Sequence, residues 1–306
     1  MKVLATRRPA GPAWEELDDV EVAPVDALTE PRPDIDVLVV ANERVGDREL
    51  GLLPGLRLIA NYGVGYDQVD VAAAARHDVA VTNTPGVLDA ATADLAFALI
   101  LAARRRVVDG DRYVRAGRWR HGWSAPSALT PGEVTGATLG IVGLGRIGSA
   151  VARRARGFEM RILYTKRTRL EHEGDVEWRE LDDLLRESDV VTLHVPLTRE
   201  SEGLLDARRL ALLQDGATLV NTARGELIDE RALVRELVSG RIDAGVDVFA
   251  DEPHVPPELL DLPNVVLTPH IGSATVSARH AMTRLVVDNI LAFGRGDPLL
   301  TPVAPR

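Results

Sequence analysis

An apolar β-type run, Thr138–Val142, passes without a break into Gly143-Leu144-Gly145-Arg146-Ile147-Gly148 and then into the helical stretch SAVARRAR. Three glycines in this order suit a chain that turns tightly at Gly143, lets its backbone approach a diphosphate at Gly145, and packs helix on strand at Gly148. The helix N-terminus then faces the diphosphate with its partial positive charge. Strand, glycine turn and helix together open a βαβ unit, which commits the surrounding chain to a parallel sheet with crossover helices. A glycine-rich turn without a ligand is the alternative, and the strand–turn–helix context weighs against it.

The rest of the chain keeps the same rhythm. Lys2–Ala5, Val37–Val40, Leu56–Ile59 and Ala80–Thr82 read as strands, with Val69–Arg76 a helix between the last two. A second series follows: Thr138–Val142, Met160–Tyr164, Val190–Val195, Ala217–Asn221, Ala244–Val248 and Val265–Leu267. These six strands are separated by helical stretches at Leu181–Arg186, Ala207–Leu213 and Glu230–Val238. Such alternation predicts an α/β protein with doubly wound parallel sheets. Between the series, TADLAFALILAARRR (92–106) is apolar on nearly every side and reads as a long buried helix bridging two domains. Gly117 to Gly136 reads as an extended loop, and Ser273 to Phe293 as a final helix ended by Gly294 and Gly296 with Pro298 beyond.

Composition removes several classes of function. The 306 residues suffice for two domains, and 45% hydrophobic content is that of a globular chain. No run reaches the roughly 18 apolar residues of a membrane helix, and the start MKVLATRRPAGP lacks a secretory signal, so a cytoplasmic protein without a membrane partner is expected. With no cysteine there is no thiol nucleophile or thiolate cluster, and redox chemistry needs a bound cofactor. A net charge of −10 argues against nucleic acid as a partner. Lys2 and Lys166 are the only lysines, which limits Schiff-base chemistry to two positions. His77, His121, His172, His194, His254 and His280 fall at no ligand spacing, so no metal is expected.

A site selective for NAD places an acidic residue after the second strand of such a sheet, about 20 residues beyond the glycines, to bind the ribose 2′-hydroxyl. Here that place falls on Thr165 or Lys166, followed by Arg167, Thr168 and Arg169. Lys166, Arg167 and Arg169 suit a 2′-phosphate, so NADP(H) is favoured over NAD(H); a solvated basic turn is the alternative. Arg224, Asp247, Glu252 and His270 all follow or close predicted strands, at the edge where open α/β sheets bind ligands. A histidine that exchanges a proton near neutral pH, a carboxylate to orient it, and an arginine to clamp a carboxylate or polarise a carbonyl are what reduction of a 2-oxo acid requires. Each alone has a plain alternative as a cap, a loop charge or a hydrogen-bonded loop residue.

Taken together, the runs GLGRIGSAVARR, HVPLTRESEGLL, NTARGELIDERALVRELVSGRI, AGVDVFADEP and TPHIGSAT resemble the D-isomer-specific 2-hydroxyacid dehydrogenases, and LRLIANYGVGYDQVDVAAAARHDVAVTNTPG extends the resemblance into the first part. It implies a Rossmann-type cofactor domain, 95–276, inserted into a flavodoxin-like substrate domain, 1–94 with 277–306. It implies Arg224 as substrate and carbonyl binder, His270 as acid/base with Glu252 its partner, and the Val64 and Gly65 amides as donors to the substrate carboxylate. Along the cofactor it implies Val64, Gly143, Gly145, Arg146, Ile147, Gly148, Thr165, Lys166, Arg167, Val195, Pro196, Thr222, Ala223, Arg224, Asp247, His270 and Gly272. It also implies a homodimer, for which the apolar helix 92–103 and the loop after it read as a candidate interface; Trp119, Trp123 and the loop to Pro131 are candidates for part of the pocket, in the same or the neighbouring subunit. Closure of the two domains would exclude water. One departure stands out: IDAGVDVF is a residue shorter than the family pattern, a slip in a helix-to-strand turn.

Within the family, formate dehydrogenases carry Gln where Glu252 stands, phosphite dehydrogenases carry Lys in the loop occupied by Gly63–Tyr66, and phosphoglycerate dehydrogenases often extend into a regulatory domain. LYTKRTR is most similar to the NADPH-preferring glyoxylate/hydroxypyruvate reductases. Other members acting on 2-ketogluconate or D-lactate, an NADH-linked enzyme, a dinucleotide-sensing corepressor that keeps the Arg/Glu/His set, and an inactive structural subunit are the alternatives.

Overall fold

A computed structural model describes residues 1–120, 132–172 and 174–304; His121, Trp123 and the loop to Pro131 lie outside them. The strands are β1 (Val3–Ala5), β2 (Val20–Val22), β3 (Val37–Val40), β4 (Leu58–Asn61), β5 (Ala80–Thr82), β6 (Thr138–Val142), β7 (Arg161–Thr165), β8 (Val176–Trp178), β9 (Val190–Leu193), β10 (Thr218–Asn221), β11 (Asp243–Val246) and β12 (Val265–Leu267). The helices are α1 (Asp47–Leu52), α2 (Val71–Arg76), α3 (Asp89–Arg104), α4 (Val107–Arg115), α5 (Arg146–Arg156), α6 (Leu181–Glu187), α7 (Ala207–Leu210), α8 (Glu230–Val238) and α9 (Val276–Arg295). Two compact units result: residues 1–89 with 273–306, and residues 90–272.

The first unit holds a parallel sheet in the order β2-β1-β3-β4-β5, the flavodoxin-like arrangement. β3 and β4 are buried at every residue, as strands covered on both faces must be, which explains why VLVV shows no apolar/polar alternation. Helix α2 starts where the Asp70 carboxylate accepts the Ala73 amide at 2.8 Å. Helix α9 starts at Thr275, whose hydroxyl accepts the Ala278 amide, and stops at Gly296 in the left-handed region.

The second unit holds the order β12-β11-β10-β9-β6-β7-β8, a Rossmann sheet of seven parallel strands rather than the six expected. The additional strand, β8, and the unforeseen β2 of the first unit are three-residue edge strands whose pairing depends on the neighbour more than on their own pattern. Helix α3 packs into this unit's core: Ala93, Ala96, Phe97, Leu99 and Ile100 join Leu139, Ile141 and Val220. A Cβ on Gly245 would lie 2.8 Å from Leu99 Cβ, so the helix rests directly on β11. Most of the 92–103 face offered as a dimer interface is thus covered by the chain's own core. No helix among the described residues is long and apolar enough to cross a membrane.

Candidate active site

Strand register brings the chemistry of the second sheet to one edge. Val142 pairs with Leu193 and Thr165, Leu193 with Asn221, Asn221 with Val246, and Val246 with Leu267. Gly143, His194, Thr222, Asp247 and Thr268, the next residues along, therefore leave the sheet at the same carboxyl end. The strand order reverses between β6 and β9, beside the glycine turn, which is where such sheets hold ligands.

The glycine turn is shaped for a diphosphate. Gly143 adopts φ +99°, and a Cβ there would lie 2.7 Å from the His194 carbonyl and from Val195 Cγ1. A Cβ on Gly148 would sit 2.2 Å from the Gly143 oxygen, so α5 packs against the turn only because that atom is missing. Gly145 is different: a Cβ there would meet nothing within 4 Å, and Gly145 and Arg146 are exposed. No side chain caps α5 at Gly145, so its first-turn amides face outward for an external acceptor. The Thr222 hydroxyl is buried and has no hydrogen-bond partner among the described residues, which suits a polar group arriving from outside. Val195, Ile147 and Ala223 are half-buried at this edge, with Pro196 exposed beside Val195. These residues fit a dinucleotide.

The end of β7 adjoins the same turn, because the Gly143 amide donates to Thr165 O at 2.9 Å. Buried Tyr164 accepts the Leu170 amide at 3.1 Å and folds the intervening segment back. Thr165 and Lys166 are half-buried and Arg167 is exposed, with no acidic residue between 165 and 169. Arg169 turns elsewhere, its guanidinium 5.3 Å from the centre of the Trp178 ring.

His270 and Glu252 form a pair on the neighbouring loops. His270 Nδ1 lies 2.7 Å from Glu252 Oε2, each side chain about one-third exposed. The other oxygen, Oε1, accepts the Phe249 amide at 3.1 Å. Burial opposes the charge on Glu252. The hydrogen bond and charge of His270, the Phe249 amide and the charge of Arg224 outweigh it, and the carboxyl titrates below its ordinary range.

His270 itself has φ +52°, a left-handed conformation that persists only where the surroundings enforce it. Buried Asp247 does so. Its backbone oxygen accepts the His270 amide at 2.8 Å, Oδ1 accepts Thr268 Oγ1 at 2.6 Å and the Ile271 amide at 2.8 Å, and Oδ2 accepts the Gly272 amide at 2.8 Å. Burial raises the Asp247 carboxyl despite these donors. Its side chain thus ties down the loop carrying His270 and Gly272.

Arg224 reaches the same edge through a turn organised by Asn221. The Asn221 amide nitrogen donates to Arg224 O at 2.7 Å, and its oxygen accepts the Ala223 amide at 3.0 Å. Arg224 Nη1 donates to Ala223 O at 2.7 Å. Immediately after it, a Cβ on Gly225 would fall 2.0 Å from the Phe249 carbonyl carbon and 2.3 Å from the Ala250 nitrogen. The arginine loop and the loop leading to Glu252 therefore touch backbone to backbone. Asn221, Gly225 and Thr268 escaped the sequence reading; the asparagine at a strand end and the glycine directly after Arg224 were the available signals.

His194 stays outside the proton chemistry. Burial lowers it to about 4, so it is neutral near pH 7, and its Nε2 lies 2.9 Å from Thr192 Oγ1. No cluster of three or more metal-ligating side chains occurs among the described residues. Val64 and Gly65 belong to the first unit, half-buried on the loop after β4, and their amides meet no protein acceptor among the described residues.

Residues 97–272 match the family model described as D-isomer specific 2-hydroxyacid dehydrogenase, NAD binding domain. A glyoxylate reductase of Pyrococcus furiosus is 50% identical over 291 residues, covering 93% of this chain and 86% of that protein. The solved structure of an NADPH-dependent glyoxylate/hydroxypyruvate reductase from Sinorhizobium meliloti, in complex with NADP and malonate, superposes with TM-score 0.89 at 37% identity over 99% of this chain and 96% of that one. The TT0316 protein of Thermus thermophilus gives TM-score 0.90 at 42% identity over 99% and 100%. With the glycine turn and the His270–Glu252 pair gathered on one sheet edge, these likenesses make the chain a member of the D-isomer specific 2-hydroxyacid dehydrogenase family, an NAD(P)-dependent dehydrogenase.

Proposed function

We propose that the chain reduces small 2-oxo acids, glyoxylate and hydroxypyruvate, to 2-hydroxy acids with NADPH. The observation that carries this reading is the 2.7 Å His270–Glu252 pair on the sheet edge that also holds the diphosphate turn and Arg224. The names of the Pyrococcus and Sinorhizobium relatives support the substrate.

Gly143, Gly145, Arg146, Ile147 and Gly148 would hold the diphosphate, with Val64, Val195, Pro196, Thr222, Ala223, Asp247, His270 and Gly272 toward the nicotinamide half and Thr165, Lys166 and Arg167 toward the adenosine ribose. Bound there, the cofactor supplies the hydride. Arg224 binds the substrate carboxylate and stabilises negative charge developing on the carbonyl oxygen, with the Val64 and Gly65 amides as further donors to the carboxylate. Protonated His270 donates to that oxygen, and Glu252 offsets the cost of holding the imidazolium.

Initial rates with NADPH and NADH against glyoxylate, hydroxypyruvate, pyruvate and 2-ketogluconate test the reading. Fast NADPH oxidation with the first two acids is expected, and a clear NADH preference would overturn the NADPH assignment. In the Lys166→Ala/Arg167→Ala variant, KM for NADPH should rise about 10- to 100-fold, the scale of one to two charge-assisted hydrogen bonds, with little change for NADH.

A homodimer is part of this proposal. Helix α4 has no fully buried residue, and Val107 and Val114 are 56% and 53% exposed, so its apolar side lacks a cover within the described chain. Sedimentation should give twice 33.1 kDa, and Val107→Glu/Val114→Glu should shift it toward 33.1 kDa. A wild-type monomer at micromolar concentration would refute the assembly.

A further inference from the structure

The loop Gly63-Val64-Gly65 is held by its carbonyl groups. Asn61, the last residue of β4 and 2% exposed, donates from Nδ2 to Gly63 O at 2.9 Å and to Gly65 O at 2.8 Å. The Thr84 amide also donates to Gly63 O, at 3.0 Å. The carbonyl between them, Val64 O, accepts Asn83 Nδ2 at 2.9 Å. Three consecutive carbonyls are therefore bound from within the first unit.

Asn83 is in turn fastened to the C-terminal segment. Its backbone N–H donates to Thr301 O at 3.3 Å, and its backbone carbonyl accepts Thr301 Oγ1 at 2.7 Å. Asn289 of α9, fully buried, donates to Thr301 Oγ1 at 3.0 Å and accepts the Leu300 and Thr301 amides at 3.0 and 3.2 Å. A chain of polar contacts thus runs from the last helix to Val64.

We propose that Asn61 and Asn83 are positioning residues that aim the Val64 and Gly65 amides at the substrate carboxylate. In a trans peptide the carbonyl and the next N–H point to opposite sides. Fixing Gly63 O and Val64 O toward the two asparagines turns the Val64 and Gly65 N–H groups away from them. The pattern explains why both amides lack a protein acceptor while every carbonyl of the loop has one. Both side chains work through Nδ2, so a carboxylate of the same shape reverses their effect by setting an acceptor against an acceptor. The proposal rests on the reading that these amides bind the substrate.

Asn61→Asp and Asn83→Asp are measured separately for KM and kcat with glyoxylate, for the Kd of NADPH, and for melting temperature. KM is expected to rise about tenfold in each, the scale of one buried carbonyl deprived of its donor, with kcat and the Kd of NADPH within a few-fold of wild type. Thr301→Val should give a smaller rise of the same kind, since it acts through Asn83. Because the two asparagines support the loop from different elements, one of them failing to fold still leaves the other as a test. KM unchanged in a folded variant overturns the positioning role while the wild type still turns over glyoxylate. A wild type inert toward every 2-oxo acid overturns the underlying reading instead.

Discussion

His270→Ala is expected to lower kcat for 2-oxo acid reduction about 10²–10⁴-fold while NADPH still binds, because the substitution removes the proposed proton donor and leaves the glycine turn untouched. The imidazole is held by Glu252 at 2.7 Å and by a left-handed backbone that Asp247 enforces, so little else at this edge can take its place. Glu252→Gln should cost about 10- to 100-fold, the scale of a charge-assisted hydrogen bond. The pH profiles separate the two roles. Under the proposed mechanism reduction requires a protonated imidazole, whereas oxidation of the hydroxy acid requires the neutral form. Glu252 is already ionised in this range, since its folded carboxyl lies below the ordinary 4.5. The stability it contributes is therefore present above about 4.5 and lost as pH falls through the lower folded value. A His270→Ala enzyme with near wild-type kcat would sink the assignment.

What could be read in advance, and what could not, follows from which forces are local. Thr138–Val142, Val37–Val40, Ala80–Thr82 and Val265–Leu267 run as expected from their apolar pattern, since buried parallel strands need little beyond continuous branched residues. The glycine turn announced itself because each glycine answers a separate steric demand. Strand ends were less visible: Val190–Val195 stops at Leu193 and Ala244–Val248 at Val246, as the last residues leave the sheet to form the site. The helix expected over 92–106 is Asp89–Arg104, and Arg106 adopts φ +53° before α4 begins. An arginine gives no sign of that break; its pairing with Asp243 at 2.8 Å, more than a hundred residues away, stabilises it. The His270–Glu252 pair required a resemblance to see, because a left-handed histidine and a buried aspartate that holds its loop are long-range facts. Arg169, read with Lys166 and Arg167 as one basic turn, is engaged by Trp178 of an edge strand whose presence only the sheet reveals.

Gly225→Ala should lower kcat about 10²-fold although no polar atom is removed, the scale set by displacing a catalytic group by about 1 Å. The added Cβ meets backbone rather than a yielding side-chain tip: Phe249 C at 2.0 Å, Ala250 N at 2.3 Å and Phe249 O at 2.4 Å. One of the two loops must then move. Moving the first shifts Arg224, whose carbonyl is tied to Asn221 at 2.7 Å. Moving the second shifts the Phe249 amide that holds Glu252 Oε1, and with it the partner of His270. Either way Arg224 and His270 lose their mutual spacing. Strain of this kind costs about 1–3 kcal/mol, which lowers the melting temperature of a unit this size by several degrees without unfolding it. NADPH should bind nearly as before, because Gly143, Gly145 and Gly148 lie on a different turn of the edge. Arg224→Lys makes the informative contrast: it keeps the loop contact but loses the fork-shaped donor, so substrate KM should rise and kcat fall at an unchanged melting temperature. If Gly225→Ala keeps full kcat at an unchanged melting temperature, contact between the two loops does not set the geometry of the site.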